Sequence, residues 1–335
     1  MTALLLSCLV APLRGSAQGT TTPTLLDRVL RAEDTRASEA EGLPTLLEAL
    51  RSTDLTVHRV AIRAIGRLQR PDQLPRLNVT LDHALSIRSE AANAIAQSVA
   101  SVPTSGRGLD SARAAVRLAR AVLLKRLSIE REPEVVGVLA RSLGRIPYLE
   151  AEQIAGDEAA ILASTKRVGG FLALPEDAAF NVVHGLNDIA KARRTRREPS
   201  PAMFDLLRRA VAASPDAKVR RLGMTGLVPA AGFDSATLAI ARRDADPEVR
   251  RGVLVGAAGL TAAQHDSLLQ WGLHDPSPIV RLEAIRFWRQ GITAPDCAPV
   301  LAATRDRSPA VALAAIDALA GLCAPVNDRV TRLRD

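Results

Sequence analysis

Apolar residues recur along this chain in a helical rhythm, and the rhythm itself repeats. Aligning the turns Asp246-Pro247-Glu248-Val249-Arg250 and Asp275-Pro276-Ser277-Pro278-Ile279-Val280-Arg281 on their apolar residue gives eight anchors: Val57, Ile87, Val135, Ala178, Val219, Val249, Val280 and Val311. Their spacings are 30, 48, 43, 41, 30, 31 and 31 residues. Four positions after each anchor stand Ala61, Ala91, Leu139, Val182, Gly223, Val253, Ala284 and Ala315. Five positions after come Ile62, Ala92, Ala140, Val183, Met224, Leu254, Ile285 and Ile316. Eight positions after come Ile65, Ile95, Leu143, Leu186, Leu227, Ala257, Trp288 and Leu319. Every one of these positions is apolar or Gly, and the offsets mark one face of an α-helix. Period-2 alternation, the mark of a half-buried strand, is absent from these segments.

An upstream helix precedes each anchored one, clearest over residues 43–51, 115–127, 202–213 and 297–304. The joining turns are rich in Asp, Ser and Pro, which cap and start helices. Two helices this short cannot bury both apolar faces alone, whereas stacked pairs can. The expected fold is therefore all-α, an α-solenoid of about eight helical hairpins over residues 43–323. A linker and capping helix over 18–42 would precede it.

The Asp-x-Ser-Pro-x-Val-Arg type of turn, the alternating Ala and Leu/Ile after it, and Gly66, Gly144 and Gly259 near helix ends resemble the HEAT-repeat family. Repeats six to eight match best, and repeat four, which lacks the Val-Arg pair, departs most. The run of repeats also resembles the N-terminal array of exported bacterial proteins that end in a cyclophilin-type peptidyl-prolyl isomerase domain. The chain has neither the Phe-His-Arg nor the Gln-Gly-Gly typical of cyclophilins. The resemblance thus implies isomerase activity only if a catalytic domain follows.

Three segments interrupt the even spacing. Residues 101–110 are rich in Gly, Ser and Pro and read as a loop, residues 150–172 as an inserted extra helix ending at Gly169-Gly170, and residues 192–201 as a basic link. At the start, the apolar run 3–13 has the length of a signal-peptide core and is too short for a membrane span. The small residues Gly15 and Ala17 place cleavage before Gln18, making 1–17 a signal peptide and the expected address exported, periplasmic or extracytoplasmic. Leu5-Leu6-Ser7-Cys8 also resembles a lipobox, with Cys8 as lipid anchor if the true start lies upstream. At the far end, Val326, Val330 and Leu333 are spaced like the start of a further helix or a truncated repeat over 324–335.

Charge changes the picture less than its total suggests. The net charge of +8 falls to +7 without Arg14, and Lys191, Arg193, Arg194, Arg196 and Arg197 supply five of those charges, leaving about +2 for the array. One basic loop is not a stripe that follows a phosphate backbone. Five Phe, two Trp and one Tyr offer little base-stacking surface. A nucleic-acid or base-repair protein is accordingly a minor alternative, and no nucleic acid is expected as partner.

Arginine also recurs at fixed register. Arg88, Arg220, Arg250 and Arg281 follow their anchors directly, with Asp82, Asp216, Asp246 and Asp275 in the adjoining turns. An Asp–Arg ladder between stacked units would fix the twist from repeat to repeat; ligand contact is the other reading. His58 takes the arginine's place in repeat one. Arg59, Arg63 and Arg67 form a stripe at i, i+4, i+8, either a solvated face or a site for an acidic partner.

Catalytic and metal chemistry find no foothold in the pattern. The five His residues show no metal-ligand spacing, and His184 reads as an ordinary helix histidine. There is no G-x-S-x-G, P-loop or dinucleotide fingerprint, so no cofactor is expected and a small-molecule ligand is disfavoured. For Cys297 and Cys323, counting helical rise from a turn near residue 307 leaves a mismatch of roughly 9 Å, and buried free thiols are expected. The expected function is a non-catalytic scaffold that binds protein partners. The candidate contacts are Arg63, Asn93, Arg141 and Arg286 on second helices, with Arg193, Arg194, Arg196 and Arg197 in the basic loop.

Overall fold

A computed structural model describes residues 23–35, 42–194, 200–228, 233–257, 261–290 and 297–323. The signal-like start with Cys8, the basic positions Arg196 and Arg197, Gly259 and the segment 324–335 lie outside the described residues. Among the described residues every regular element is helical, in the order α1 (Leu25–Asp34), α2 (Leu43–Ala49), α3 (Leu55–Arg67), α4 (Leu74–Asn78), α5 (Leu85–Ser98), α6 (Leu109–Ile129), α7 (Pro133–Arg145), α8 (Ala151–Arg167) and α9 (Glu176–Arg194). There follow α10 (Pro201–Ala213), α11 (Ala217–Leu227), α12 (Ser235–Ala241), α13 (Pro247–Val255), α14 (Ala262–Leu273), α15 (Pro278–Arg289), α16 (Ala298–Ala303) and α17 (Pro309–Leu322). Short 3-10 turns flank α4 and precede α9.

The helices begin where their caps dictate. Asp54 Oδ1 accepts from the backbone N–H of Thr56 and Val57, and Asp246 Oδ1 does the same for Glu248 and Val249. Each satisfies donors that a helix start leaves orphaned. Proline stands in the first turn of α7, α13, α15 and α17, where its missing N–H costs nothing.

The anchored helices α3, α5, α7, α9, α11, α13, α15 and α17 form one layer, each packed on the next, and the upstream helices form the other. The four anchor columns supply the contacts within and between pairs. All of their residues are buried except Ala257 and Ile316, which are half-buried. Each fully buried Leu or Ile contributes about 1.5–3 kcal/mol by leaving water. Ile316 sits on α17, the last described helix, where no described neighbour covers its far side. α1 packs on both α2 and α3 at the other end. The chain is an α-solenoid.

Two expectations need correction. The helix over 151–167 is no insertion: α8 packs on α6, α7 and α9 as the upstream member of pair four. The long spacings arise from the non-helical residues 99–108 and the 21-residue α6, from the 17-residue α8 with the 3-10 turn Phe171–Ala173, and from the 19-residue α9. The second correction concerns Cys297 and Cys323, which are joined in a disulfide with Cα atoms 6.2 Å apart. The rise count treated the connection as a point. Residues 304–308 are not helical, and such residues advance up to about 3.3 Å each. The register of the two helix ends is therefore not fixed by counting turns.

Candidate functional site: the repeat joints and the inner helix face

The three successive joints from α11 to α17 are each tied by one arginine. Arg250 Nε and Nη2 donate to Asp275 Oδ2 and Oδ1 at 2.7 and 2.9 Å, while its Nη1 donates to the carbonyls of Asp244 and Ala245 in its own turn. Arg220 grips Asp244 and the carbonyls of Ser214 and Pro215 in the same way. Arg281 grips Asp306 and the carbonyls of Asp275 and Pro276. Each acid in turn accepts a backbone N–H two residues on, from Asp246, Ser277 and Ser308 respectively. A guanidinium presented as a planar fork makes all of these bonds at once, which an ammonium cannot.

The partners differ from those expected. Asp216 and Asp246 do not hold Arg220 and Arg250. Asp216 caps α11 through the N–H of Lys218, and Asp246 caps α13 while pairing with Arg221. Asp275 is held by Arg250 of the preceding repeat, and Asp244 and Asp306 fill the equivalent places. Arg88 pairs at 3.1 Å with Glu130, and Asp82 pairs with Arg126. The signal that would have found these acids is the position five before the anchor, which in five of the eight repeats holds Asp82, Glu130, Asp244, Asp275 and Asp306. His58 stands in the arginine column and meets the His83 ring edge-on at 5.2 Å between centroids. Burial first, then the neighbouring His83, lowers the His58 pKa.

Asp306 illustrates the electrostatics of the joint. The hydrogen bonds from Arg281 hold its carboxyl below the ordinary 3.8, outweighing the partial burial that opposes them. Bonding to the acid also raises the Arg220, Arg250 and Arg281 guanidinium groups above their usual value.

The face of the anchored helices turned away from the upstream layer carries Arg63, Asn93, Arg141 and Arg286, all six positions after an anchor. Their surroundings differ. Arg63 donates to both carboxylate oxygens of Glu33 on α1 at 2.8 and 2.7 Å, and Arg67 donates to the same group. The Glu33 side chain is 3% exposed, so two members of the stripe already hold an acid of this chain. These bonds keep the Glu33 carboxyl below its ordinary 4.5. Arg286 is more open and, among the described residues, reaches Glu283 at 3.4 Å. Asn93 is half-buried. Arg141 Nη1 donates to Asn181 Oδ1 at 3.2 Å. Arg193 and Arg194 belong to the end of α9, and their side chains lie outside the described residues.

No family model matches the chain, and no curated protein matches it. Among solved structures it is similar to an engineered protein, with 18% identity, a TM-score of 0.40, and coverage of 72% of this chain and 93% of the other. It is also similar to the complex of CpcE and CpcF of phycocyanin lyase from Nostoc sp. PCC7120, with 15% identity, a TM-score of 0.39, and coverage of 83% and 98%.

Where α7 meets α9 the two backbones come together. A Cβ on Gly144 would lie 2.6 Å from the Gly185 carbonyl oxygen, and one on Gly185 would strike the Ala140 carbonyl. That seam sets Arg141 and Arg145 of α7 beside Asn181, His184 and Asp188 of α9. Asp188 is engaged by His184 Nδ1 at 3.2 Å and by Lys191 Nζ at 3.0 Å. Burial pushes the Asp188 carboxyl up, but those two partners outweigh it and hold it below its ordinary value. Arg145 was not among the residues expected to matter; it lies four after Arg141 and so shares its face. Among the described residues there is no cluster of His, Cys, Asp and Glu that could hold a metal ion. No helix among them is long and apolar enough to cross a membrane.

Proposed function

We propose that this protein is a non-catalytic scaffold of HEAT type that binds protein partners along the face of its anchored helices. The observation that carries the reading is the arginine tie at the successive joints from α11 to α17, which makes these short helices one preorganised surface. A surface whose shape is fixed in advance spares a partner the cost of ordering it. The column six after the anchors, polar at Arg63, Asn93, Arg141, Thr225 and Arg286, runs along that surface and is the proposed line of contact. Arg193, Arg194, Arg196 and Arg197 are proposed as further contacts.

Site-specific photocrosslinking tests this. A benzophenone side chain placed at Asn93 or Thr225 should give adducts with partner proteins in cells. The same group at Leu118 or Arg209, on the upstream helices, should give few. Equal adducts from both layers would sink the reading.

Export is the proposed address, and the Cys297–Cys323 disulfide supports it, because such bonds persist in oxidising compartments. N-terminal sequencing of the mature protein should find Gln18 first. The narrower resemblance would make the same surface the client-holding arm of a cyclophilin-type isomerase, and the gene sequence beyond codon 335 decides it.

A further inference from the structure

Arginines on the anchored helices are, with few exceptions, matched to acids. Arg63 and Arg67 hold Glu33, Arg88 holds Glu130, and Arg220, Arg250 and Arg281 hold the joint aspartates. Arg221 pairs with Asp246, Arg251 with Glu248 and Glu283, and Arg286 with Glu283. Among the described residues Arg59, Arg289, Arg141 and Arg145 depart from this rule, and only the last two stand together on one helix face. Arg141 reaches only the neutral amide of Asn181, and its Nε is enclosed without an acceptor. Among the described residues Arg145 has no ion pair or hydrogen bond from its side chain, and it is exposed.

Physical chemistry makes this pair unusual. An enclosed N–H with no acceptor is destabilising, and like charges four apart on a helix repel. Partial burial first, and then the Arg141 charge, lower the Arg145 pKa against the pull of Asp188. Asp188 offsets the pair only in part, being engaged by His184 and Lys191 as well. On the other flank α5 offers Ser89, Asn93 and Gln97 in the corresponding columns, all half-buried and all neutral. The result is a pair of guanidinium groups on one helix face without an acid of their own, with the Asn181 amide beside them. The glycine seam between α7 and α9 keeps it in a fixed geometry.

We propose that the α7–α9 junction is a recognition site for an acidic protein segment, whose Asp or Glu carboxylates are taken by Arg141 and Arg145. The site rests on the scaffold reading and names the chemistry of its partner. A carboxylate arriving from solvent supplies the acceptor that Arg141 Nε lacks and relieves the repulsion between the two guanidinium groups. Asn93 and Asn181 then bond the flanking peptide groups.

The test is fluorescence anisotropy with a labelled decapeptide of alternating Asp and Glu, against the full chain at low ionic strength, with a Gln/Asn decapeptide as reference. Wild type should bind the acidic peptide and not the neutral one. Arg141→Gln combined with Arg145→Gln should weaken binding at least tenfold, and Arg208→Gln with Arg209→Gln, equal in charge change but on α10, less than twofold. Arg141→Lys should lose several-fold, because the fork is gone while the charge stays. Circular dichroism melts confirm that each variant is folded. Equal binding by wild type and the Arg141/Arg145 variant, or no binding by folded wild type, overturns the proposal. So does displacement of the peptide by inorganic phosphate at constant ionic strength, which would mark a general oxyanion site. The scaffold reading fails on crosslinks from the wrong helix layer instead, so the two failures are separable.

Discussion

Arg250 shows how much depends on single side chains. It is 12% exposed and its partner Asp275 only 2%, so Arg250→Met strands a carboxylate whose remaining donor is the Ser277 N–H. Breaking a buried pair from one side costs about 3 kcal/mol, and urea denaturation should show a loss of that size. Asp306 gives the pH counterpart. Its folded pKa is lowered from 3.8, so its bond to Arg281 stabilises fully above that value and is lost as pH falls through the folded one. The stability gap between wild type and Asp306→Asn should therefore shrink in thermal melts taken from about pH 6 down to about pH 3. At this scale the sequence shows which residue types recur and at which offsets. It does not show which repeat's acid a guanidinium meets. Asp246 lies nearer to Arg250 in sequence, but its carboxylate is turned onto the backbone of its own helix start, and stacking brings Asp275 alongside instead.

Between elements, the α7–α9 seam is the tightest contact argued from backbone positions. Gly185→Ala would drive a Cβ into the Ala140 carbonyl. Forcing helices apart in a packed layer costs typically 1–3 kcal/mol. Gly156→Ala on α8 meets nothing and should be neutral or stabilising by up to about 1 kcal/mol, since Ala is the better helix former. Chemical denaturation of the two variants separates packing from propensity. At the α16–α17 pair the disulfide spans 26 residues, a separation for which closure stabilises by roughly 3 kcal/mol. Reductant, or Cys297→Ser, should lower the protection of α17 amides against hydrogen exchange and leave α3 and α5 unchanged.

For the whole molecule, stability is a sum over neighbours, because each pair touches chiefly the pairs on either side. Damage should then spread locally. Leu139→Ala, in fully buried surroundings on α7, should cost about 2–5 kcal/mol and show first as lost hydrogen-exchange protection in α5, α7 and α9. Ile316→Ala on half-buried α17 should cost less and leave those helices protected. Uniform loss of protection along the chain in either variant would contradict this one-dimensional account.

The anchor columns, the helical period, the caps at Asp54 and Asp246 and the count of pairs are local properties, set by spacing along the chain, and the sequence by itself determined them. Tertiary structure alone decided the rest: which turn each arginine reaches, that Arg63 and Arg67 are occupied by Glu33, that Arg145 joins Arg141, and that Cys297 meets Cys323. The physical reason is common to all four. Helical periodicity fixes which face a residue occupies, but the meeting of two faces depends on crossing angle, on how closely glycines let backbones approach, and on the path of non-helical turns, none of which is written in the spacing of apolar residues.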